Sequence, residues 1–344
     1  VKILIAGLGS IGQRHVRNLR TLLGDRVEIL AHRVRGFDGV ITEGMAIEAG
    51  SSVTAKYGVT PFDRLETALA QRPDAVFVCN PTSEHLATAM AAVCAGCHVF
   101  VEKPLSHSTD GIAELIAAAN DAQRVVAVGY QMRWHPALLR TRELLQQRAI
   151  GRIISVRAEM GEYLPDAHPY EDYRTSYAAR ADLGGGVLRC YIHEFDYLCW
   201  LFGVPRRVFA VGGQLGNLEI DVEDTALTTL EAEVDGRLVV MQTHHSFLQR
   251  PASRRCEIVG EDGTIRIDFM TSSMAVEGAR GLIEQRSFAD RPRNQLFVDE
   301  LRGFLAAMAG DRAGIVTARE AVDSLRVALA ARQSLATGQV VSLS

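Results

Sequence analysis

Short apolar runs and amphipathic stretches alternate along the first third of the chain. The runs at 2–6, 27–32, 75–79, 98–101 and 125–129 are bounded by turn residues and are too brief for helices, so they predict strands. Between them, 11–23, 63–71, 83–95 and 109–122 carry apolar residues at helical spacing, with Thr109 placed to cap the last. That order predicts βαβ units around a parallel sheet. Pro73, Pro81 and Pro104 fall at strand starts or ends, where a missing amide donor does little harm.

From about residue 150 the period shortens to two. Ile154, Val156, Ala158 and Met160 alternate with Ser155, Arg157 and Glu159. Ala226, Thr228, Leu230, Ala232 and Val234 alternate with Thr229, Glu231 and Glu233, and Ile265, Ile267 and Phe269 follow the turn Glu261-Asp262-Gly263. Such alternation predicts an antiparallel sheet with one face on the core and the other solvated or covered by a partner. Helices return at 192–202, 294–309 and 318–337, the last with Thr317 and Glu320 at capping-box spacing and Gly338 as its stop. The expected organisation is an α/β domain over 1–129 and an α+β domain over 130–344, joined without a flexible linker. Helix 318–337 is free to pack back on the first domain.

Composition narrows the function classes. A chain of 344 residues with 47% hydrophobic and 23% charged residues can bury two cores and is not expected to be disordered. The net charge of −4 gives no footprint for nucleic acid, and the pairs Arg206-Arg207 and Arg254-Arg255 read as solvated strand ends. No apolar run has the length of a bilayer-spanning helix, so no membrane partner is expected. A strand starting at Lys2 leaves no room for a targeting segment, which points to the cytoplasm. The six cysteines read as reduced thiols. Cys94-Ala95-Gly96-Cys97-His98 has the form of a haem attachment site but falls where a helix turns into a strand, and no metal is expected there.

Gly7-Leu8-Gly9-Ser10-Ile11-Gly12 joins the first strand to the first helix. In that context Gly7 permits a tight turn, Gly9 admits a pyrophosphate against the backbone, and Gly12 lets helix and strand pack closely. The helix start then offers free amides to the phosphates. This is the Rossmann arrangement for NAD or NADP. An acid about twenty residues on usually accepts the ribose 2′-hydroxyl of NAD. Here the second strand ends Ala31-His32-Arg33 with Arg35 nearby, so basic side chains without an acid leave NAD and NADP both open.

Further motifs complete a resemblance. Val101-Glu102-Lys103-Pro104, preceded by Cys79-Asn80-Pro81-Thr82-Ser83-Glu84-His85, resembles, together with the glycine loop, the Gfo/Idh/MocA oxidoreductases. These pair a Rossmann domain with an α+β domain built on a large open sheet. Gly129-Tyr130-Gln131-Met132-Arg133-Trp134-His135-Pro136 resembles the family's domain junction, and Gly184-Gly185-Gly186 followed by His193 and Asp196 its substrate-side helix. The resemblance spans nearly the whole chain and looks closest to members of nucleotide-sugar or amino-sugar pathways. It implies cofactor contacts at residues 7–12, His32, Arg33, Cys79, Asn80, Pro81, Thr82, His85, Glu102, Lys103 and Gln131.

The resemblance also implies that Lys103 is catalytic, and the chemistry agrees: a lysine at the carboxyl end of a parallel strand faces the ligand crevice, where desolvation lowers its pKa. His193, behind the triple glycine, is the second catalytic candidate. Many relatives carry an aspartate shortly before this histidine, where this chain has Arg189 and Cys190. Asp196 or Asp182 supplies that charge, or the substrate differs and Arg189 meets an anionic group. Arg133, Tyr163, Tyr173, Arg174, Tyr177, Arg189, Cys190 and Asp196 are the substrate candidates, because sugars are bound by such mixtures of aromatic faces and hydrogen-bonding groups. His244 and His245 end a strand and point to opposite faces, so at most one approaches the site.

The leading expectation is hydride transfer between nicotinamide and a hydroxyl-bearing carbon of a sugar, amino sugar, nucleotide sugar or cyclitol, by a homodimer or homotetramer. One alternative keeps NAD tightly bound and uses transient oxidation to drive elimination or epimerisation. Another is a cofactor-binding regulator without chemistry.

Overall fold

The computed structural model describes residues 1–34 and 36–343; Arg35, weighed above beside the second strand, lies outside them. The first part runs β1 (Lys2–Ala6), α1 (Ser10–Leu23), β2 (Glu28–His32), the hairpin β3 (Gly39–Ile41) and β4 (Ile47–Ser52), and α2 (Val53–Tyr57). It continues through β5 (Val59–Phe62), α3 (Leu65–Leu69), β6 (Ala75–Val78), α4 (His85–Cys94), β7 (His98–Glu102), α5 (Ile112–Asp121) and β8 (Val126–Gly129). Six of these strands form one sheet in the order β5-β2-β1-β6-β7-β8, parallel at every pair. Ile3, Leu4, Ile5 and Ala6 are all fully buried, because helices cover both faces and the central strands need no alternation.

The second part runs α6 (Pro136–Gln146), β9 (Ile153–Tyr163), α7 (Leu164–Ala167), α8 (Val187–Cys190), α9 (His193–Phe202), β10 (Arg207–Gly213) and β11 (Thr225–Val234). There follow β12 (Arg237–Ser246), β13 (Leu248–Gly260), β14 (Gly263–Asp268), β15 (Ser273–Gly278), β16 (Gly281–Ser287), α10 (Asn294–Met308), α11 (Ala318–Thr337) and β17 (Val341–Ser342). Nine strands make the second sheet, ordered β16-β15-β14-β13-β9-β12-β11-β10-β17 and antiparallel except where β12 lies parallel to β9. The α/β plus α+β expectation therefore holds.

Three local expectations fail for physical reasons. β5 is not among the expected strands: Val59-Thr60-Pro61-Phe62 is an edge strand, polar enough and short enough to lack a period. Ile154 is 44% exposed while Ile153 is buried, because a bulge pairs Gly260 with Ile153 and slips the start of β9 by one residue. Thr109 does not cap α5, which starts after a left-handed Gly111; only the Thr109 carbonyl takes part, accepting the Ile112 N–H at 3.3 Å.

The chain's later helices tie the two sheets together. α11 packs on β10 and α9 and also reaches α5 and β8. Val128 N–H donates to the Val316 carbonyl at 2.8 Å, so the segment leading into α11 lies along the edge of the parallel sheet. Thr317 and Glu320 form the reciprocal capping box and Gly338 closes the helix in the left-handed conformation. Asn294 at the start of α10 accepts from Arg14 of α1 at 3.0 Å. Among the described residues no helix is long and apolar enough to cross a membrane.

Candidate active site

The glycine loop is shaped by what its neighbours exclude. A Cβ on Gly7, whose φ is 105°, would overlap the Cys79 carbonyl, and one on Gly12 would overlap the Gly7 carbonyl. Gly9 has nothing within 4 Å of its missing Cβ, so that side of the loop is open. Gly9 also precedes α1 without a side-chain cap, leaving the first-turn amides to a ligand. This cradle fits a dinucleotide pyrophosphate. His85 braces the opposite wall: its ring nitrogens meet the Pro104 carbonyl at 2.7 Å and the Asn80 carbonyl at 2.9 Å, joining the turns after β6 and β7. Burial favours its neutral form, with the two carbonyls opposing. The Asn80 amide is held on the Thr88 hydroxyl at 2.8 Å, and Thr82 is buried beneath the Gly184 turn.

At the end of β2 the His32 carbonyl accepts the Gly7 N–H at 2.9 Å. Arg33 is not free. Its guanidinium donates to Asp38 Oδ1 at 2.8 Å, and Asp38 Oδ2 accepts the hydroxyls of Ser52 and, at 2.9 Å, Thr54. Against a desolvation that raises it, these hydrogen bonds and the Arg33 charge hold Asp38 below the usual carboxylate range. Sequence reasoning missed this acid because it lies in the loop beyond the strand, outside the position the motif rule inspects.

Lys103 follows directly on β7 and points across to the second part of the molecule, where Nζ donates to the Cys190 carbonyl at 2.7 Å. Desolvation lowers its pKa, opposed by the charges of Glu102 and Glu194. His193, at the start of α9, is buried, and the Gln131 amide lies 3.1 Å from its Nε2. An amide N–H donates there, so the ring proton belongs on Nδ1, which is buried without a partner. Desolvation first, then the charges of Lys103, Arg254 and Arg293, push His193 well below its ordinary pKa. The site thus holds a softened amine and a neutral imidazole.

Two acids flank His193 on α9, each gripped by an arginine from another element. Arg133 donates to Asp196 through two bonds of 3.0 and 2.8 Å, and Arg254 donates to Glu194 through bonds of 2.8 and 3.2 Å. Burial raises both carboxyls, Asp196 to about 6, with the arginines opposing. Arg133 and Asp196, expected against the substrate, instead hold each other. Arg254 is not a solvated strand end but a nearly buried clamp. No spacing rule joins β13 to α9, so sequence reasoning could not see it.

The other substrate candidates divide. Tyr177 is half-buried with its hydroxyl on the Cys190 thiol, and Tyr170 reaches the Ser10 side chain, so the loop after α7 returns over the glycine loop. Burial pushes the Cys190 thiol up to about 11, so it is no thiolate nucleophile at neutral pH. Arg189 folds onto the Gly185 carbonyl at 2.9 Å, with Arg332 and Glu223 as its charged neighbours. Tyr173 and Arg174 are engaged with Glu219, and Arg174 also with Asp172, on an exposed stretch of the loop. Tyr163 lies under the Arg250 guanidinium at 3.3 Å. His245 is fully buried and pushed down to about 3 by desolvation, and His244 faces the other side of the sheet.

Comparison with known proteins agrees with this geometry. Residues 1–130 match an oxidoreductase family described as an NAD-binding Rossmann fold, and residues 138–266 match the GFO/IDH/MocA C-terminal domain. Inositol 2-dehydrogenase 2 of Saccharopolyspora erythraea is 30% identical over 98% of this chain and 94% of its own. The 1,5-anhydro-D-fructose reductase of Ensifer adhaerens is 28% identical over 91% of this chain and 93% of its own. The fold matches the WlbA dehydrogenase of Bordetella pertussis, solved with NADH and UDP-GlcNAcA, with a TM-score of 0.80 at 23% identity, covering 100% of this chain and 99% of that one.

Proposed function

The chain belongs to the Gfo/Idh/MocA oxidoreductases, and from that premise we propose that it moves hydride between NAD and a hydroxyl-bearing carbon of a sugar, amino sugar, nucleotide sugar or cyclitol. The observation that carries this reading is the convergence of the Lys103 amine and the His193 imidazole at the carboxyl end of β7, in front of the glycine cradle. Relatives named for inositol and anhydrofructose chemistry support a polyhydroxylated substrate. When bound, nicotinamide supplies the hydride acceptor or donor. Residues 7–12 would hold the pyrophosphate, and the turns at 79–82 and 102–104 would border the nicotinamide.

In the oxidative direction the neutral Lys103 amine accepts the hydroxyl proton; in reduction its ammonium returns it. His193, neutral at physiological pH, donates its Nδ1–H to a neighbouring hydroxyl oxygen and orients the carbon. Tyr177 and Gln131 line the same space. The open face of the large sheet supports self-association as a dimer or tetramer. The test uses purified protein: light scattering for assembly, then absorbance at the NADH band with a panel of neutral polyols, hexoses and nucleotide sugars. Cofactor binding with no turnover on any of them would sink the enzymatic reading of the site. Turnover without net NADH would favour transient oxidation.

NAD is chosen over NADP because Asp38 occupies Arg33 and would face a 2′-phosphate with a like charge. We expect fluorescence titration to give tighter binding of NADH than NADPH by tenfold or more. Asp38→Ala frees Arg33 and closes that ratio by about tenfold, roughly 1.4 kcal/mol. Tighter NADPH binding by the unaltered chain would overturn the choice.

A further inference from the structure

His15 takes no part in the chemistry above, yet it is fully buried on α1, just past Gly12. Its ring lies 5.2 Å from those of Phe77 and Phe100, in a cluster completed by Phe304. A residue kept there for packing alone would be a fourth phenylalanine. The imidazole instead makes one polar contact: Nε2 meets Glu102 Oε1 at 2.7 Å, while Nδ1 is buried without a partner. The other Glu102 oxygen accepts the Lys103 backbone N–H at 3.3 Å. Two hydrogen bonds therefore connect the helix that bears the cofactor loop to the residue that bears the amine.

Among the described residues no lysine or arginine forms an ion pair with Glu102. Glu300 of α10, buried with one carboxyl oxygen unpartnered, adds a second acid to the same region. A buried carboxylate without a cation needs its hydrogen bonds.

We propose that His15 is a positioning residue: held on the cofactor-bearing helix, it fixes the Glu102 carboxylate and so sets the backbone and the charge beside Lys103. The proposal rests on Lys103 being the reactive amine. The charges bearing on Lys103 are Glu102 and Glu194, which favour the ammonium, and Arg254, which disfavours it, with Cys190 alongside. Facing Glu102 are Arg14 from α1, Glu300 from α10, Cys79 and His85 from the β6 side, and Tyr177 from the loop.

The test reads Lys103 itself, without turnover. Competitive acetylation by acetic anhydride across pH, quantified by mass spectrometry, gives the pH midpoint at which the amine becomes reactive. Glu102→Gln removes a charge that favours the ammonium, so the midpoint moves toward acid by about one pH unit. His15→Phe moves it the same way, because the carboxylate is released. His15→Gln keeps an N–H donor and stays near the unaltered protein. His15→Phe combined with Glu102→Gln shifts no further than Glu102→Gln alone.

A His15→Phe midpoint equal to the unaltered protein overturns the proposal, as does a His15→Gln midpoint shifted as far as that of Glu102→Gln. The second comparison stands even if His15→Phe does not fold. Failure of Lys103 as the reactive amine would show separately, as turnover surviving Lys103→Met.

Discussion

Lys103→Met lowers turnover by about 10³-fold while NADH affinity changes little. Methionine matches the length of the lysine stem, so the apolar contacts of the side chain survive and only the amine is lost. The Cys190 carbonyl loses its donor, a cost of about 1–3 kcal/mol if it stays buried. Against that, desolvation holds Lys103 below its ordinary pKa, so the folded state disfavours the ammonium. The sign follows from linkage: a lysine with a depressed folded pKa carries no such cost above its unfolded value, and the cost builds as pH falls from there toward the folded one. Removing the ammonium therefore relieves a burden that grows toward acid. The thermal midpoint of the variant, compared with that of the unaltered chain, improves as pH is lowered from 10.5, the ordinary lysine value, to 8. An amine that opposes stability yet sits at the crevice is the pattern of a functional group. Steady-state rates, NADH titration and melting curves at the two pH values check all parts; undiminished turnover removes Lys103 from the chemistry.

How much of this was legible in sequence follows from the range of the forces involved. The parallel sheet and α1 were readable because βαβ units are local: a run such as Lys2–Ala6 and the glycines behind it carry the pattern within a dozen residues. The α11 capping box was readable for the same reason. Lys103 and His193 stood out only through flanking motifs, and the sequence could not tell that the Cys190 carbonyl, rather than its thiol, receives the amine. Arg254, His15 and Asp38 were invisible. Each acts through a partner far away in the chain or beyond a rule's window, and a residue's type does not name its partner. Arg133 and Asp196 were recognised as special but assigned to the substrate, since pairing across 63 positions leaves no periodic trace.

That pair gives the largest expected change in stability. Asp196 is fully buried, Arg133 is 11% exposed, and two hydrogen bonds join them beneath the first turn of α9. Arg133→Met leaves the carboxylate without a cation, which costs about 3–5 kcal/mol when one partner of a buried pair is removed. The loss depends on pH with a definite sign. Burial already raises Asp196 to about 6 with Arg133 opposing, and without the arginine its pKa climbs further. An acid with a raised folded pKa is stabilising below its unfolded value, near 4, and that contribution is lost as pH rises through the folded value. The deficit of Arg133→Met is therefore smaller at pH 5, where protonation can answer the missing charge, and larger at pH 8. Adding Asp196→Leu removes the stranded carboxylate and recovers most of the loss. Because Asp196 lies one turn from His193, turnover of Arg133→Met falls even where the protein remains folded, and the double variant restores stability more fully than activity. Urea unfolding at pH 5 and pH 8 decides the matter: a deficit below about 1 kcal/mol, or one equal at both values, would mean that the pair is a marginal surface contact and not the anchor of the helix that carries His193.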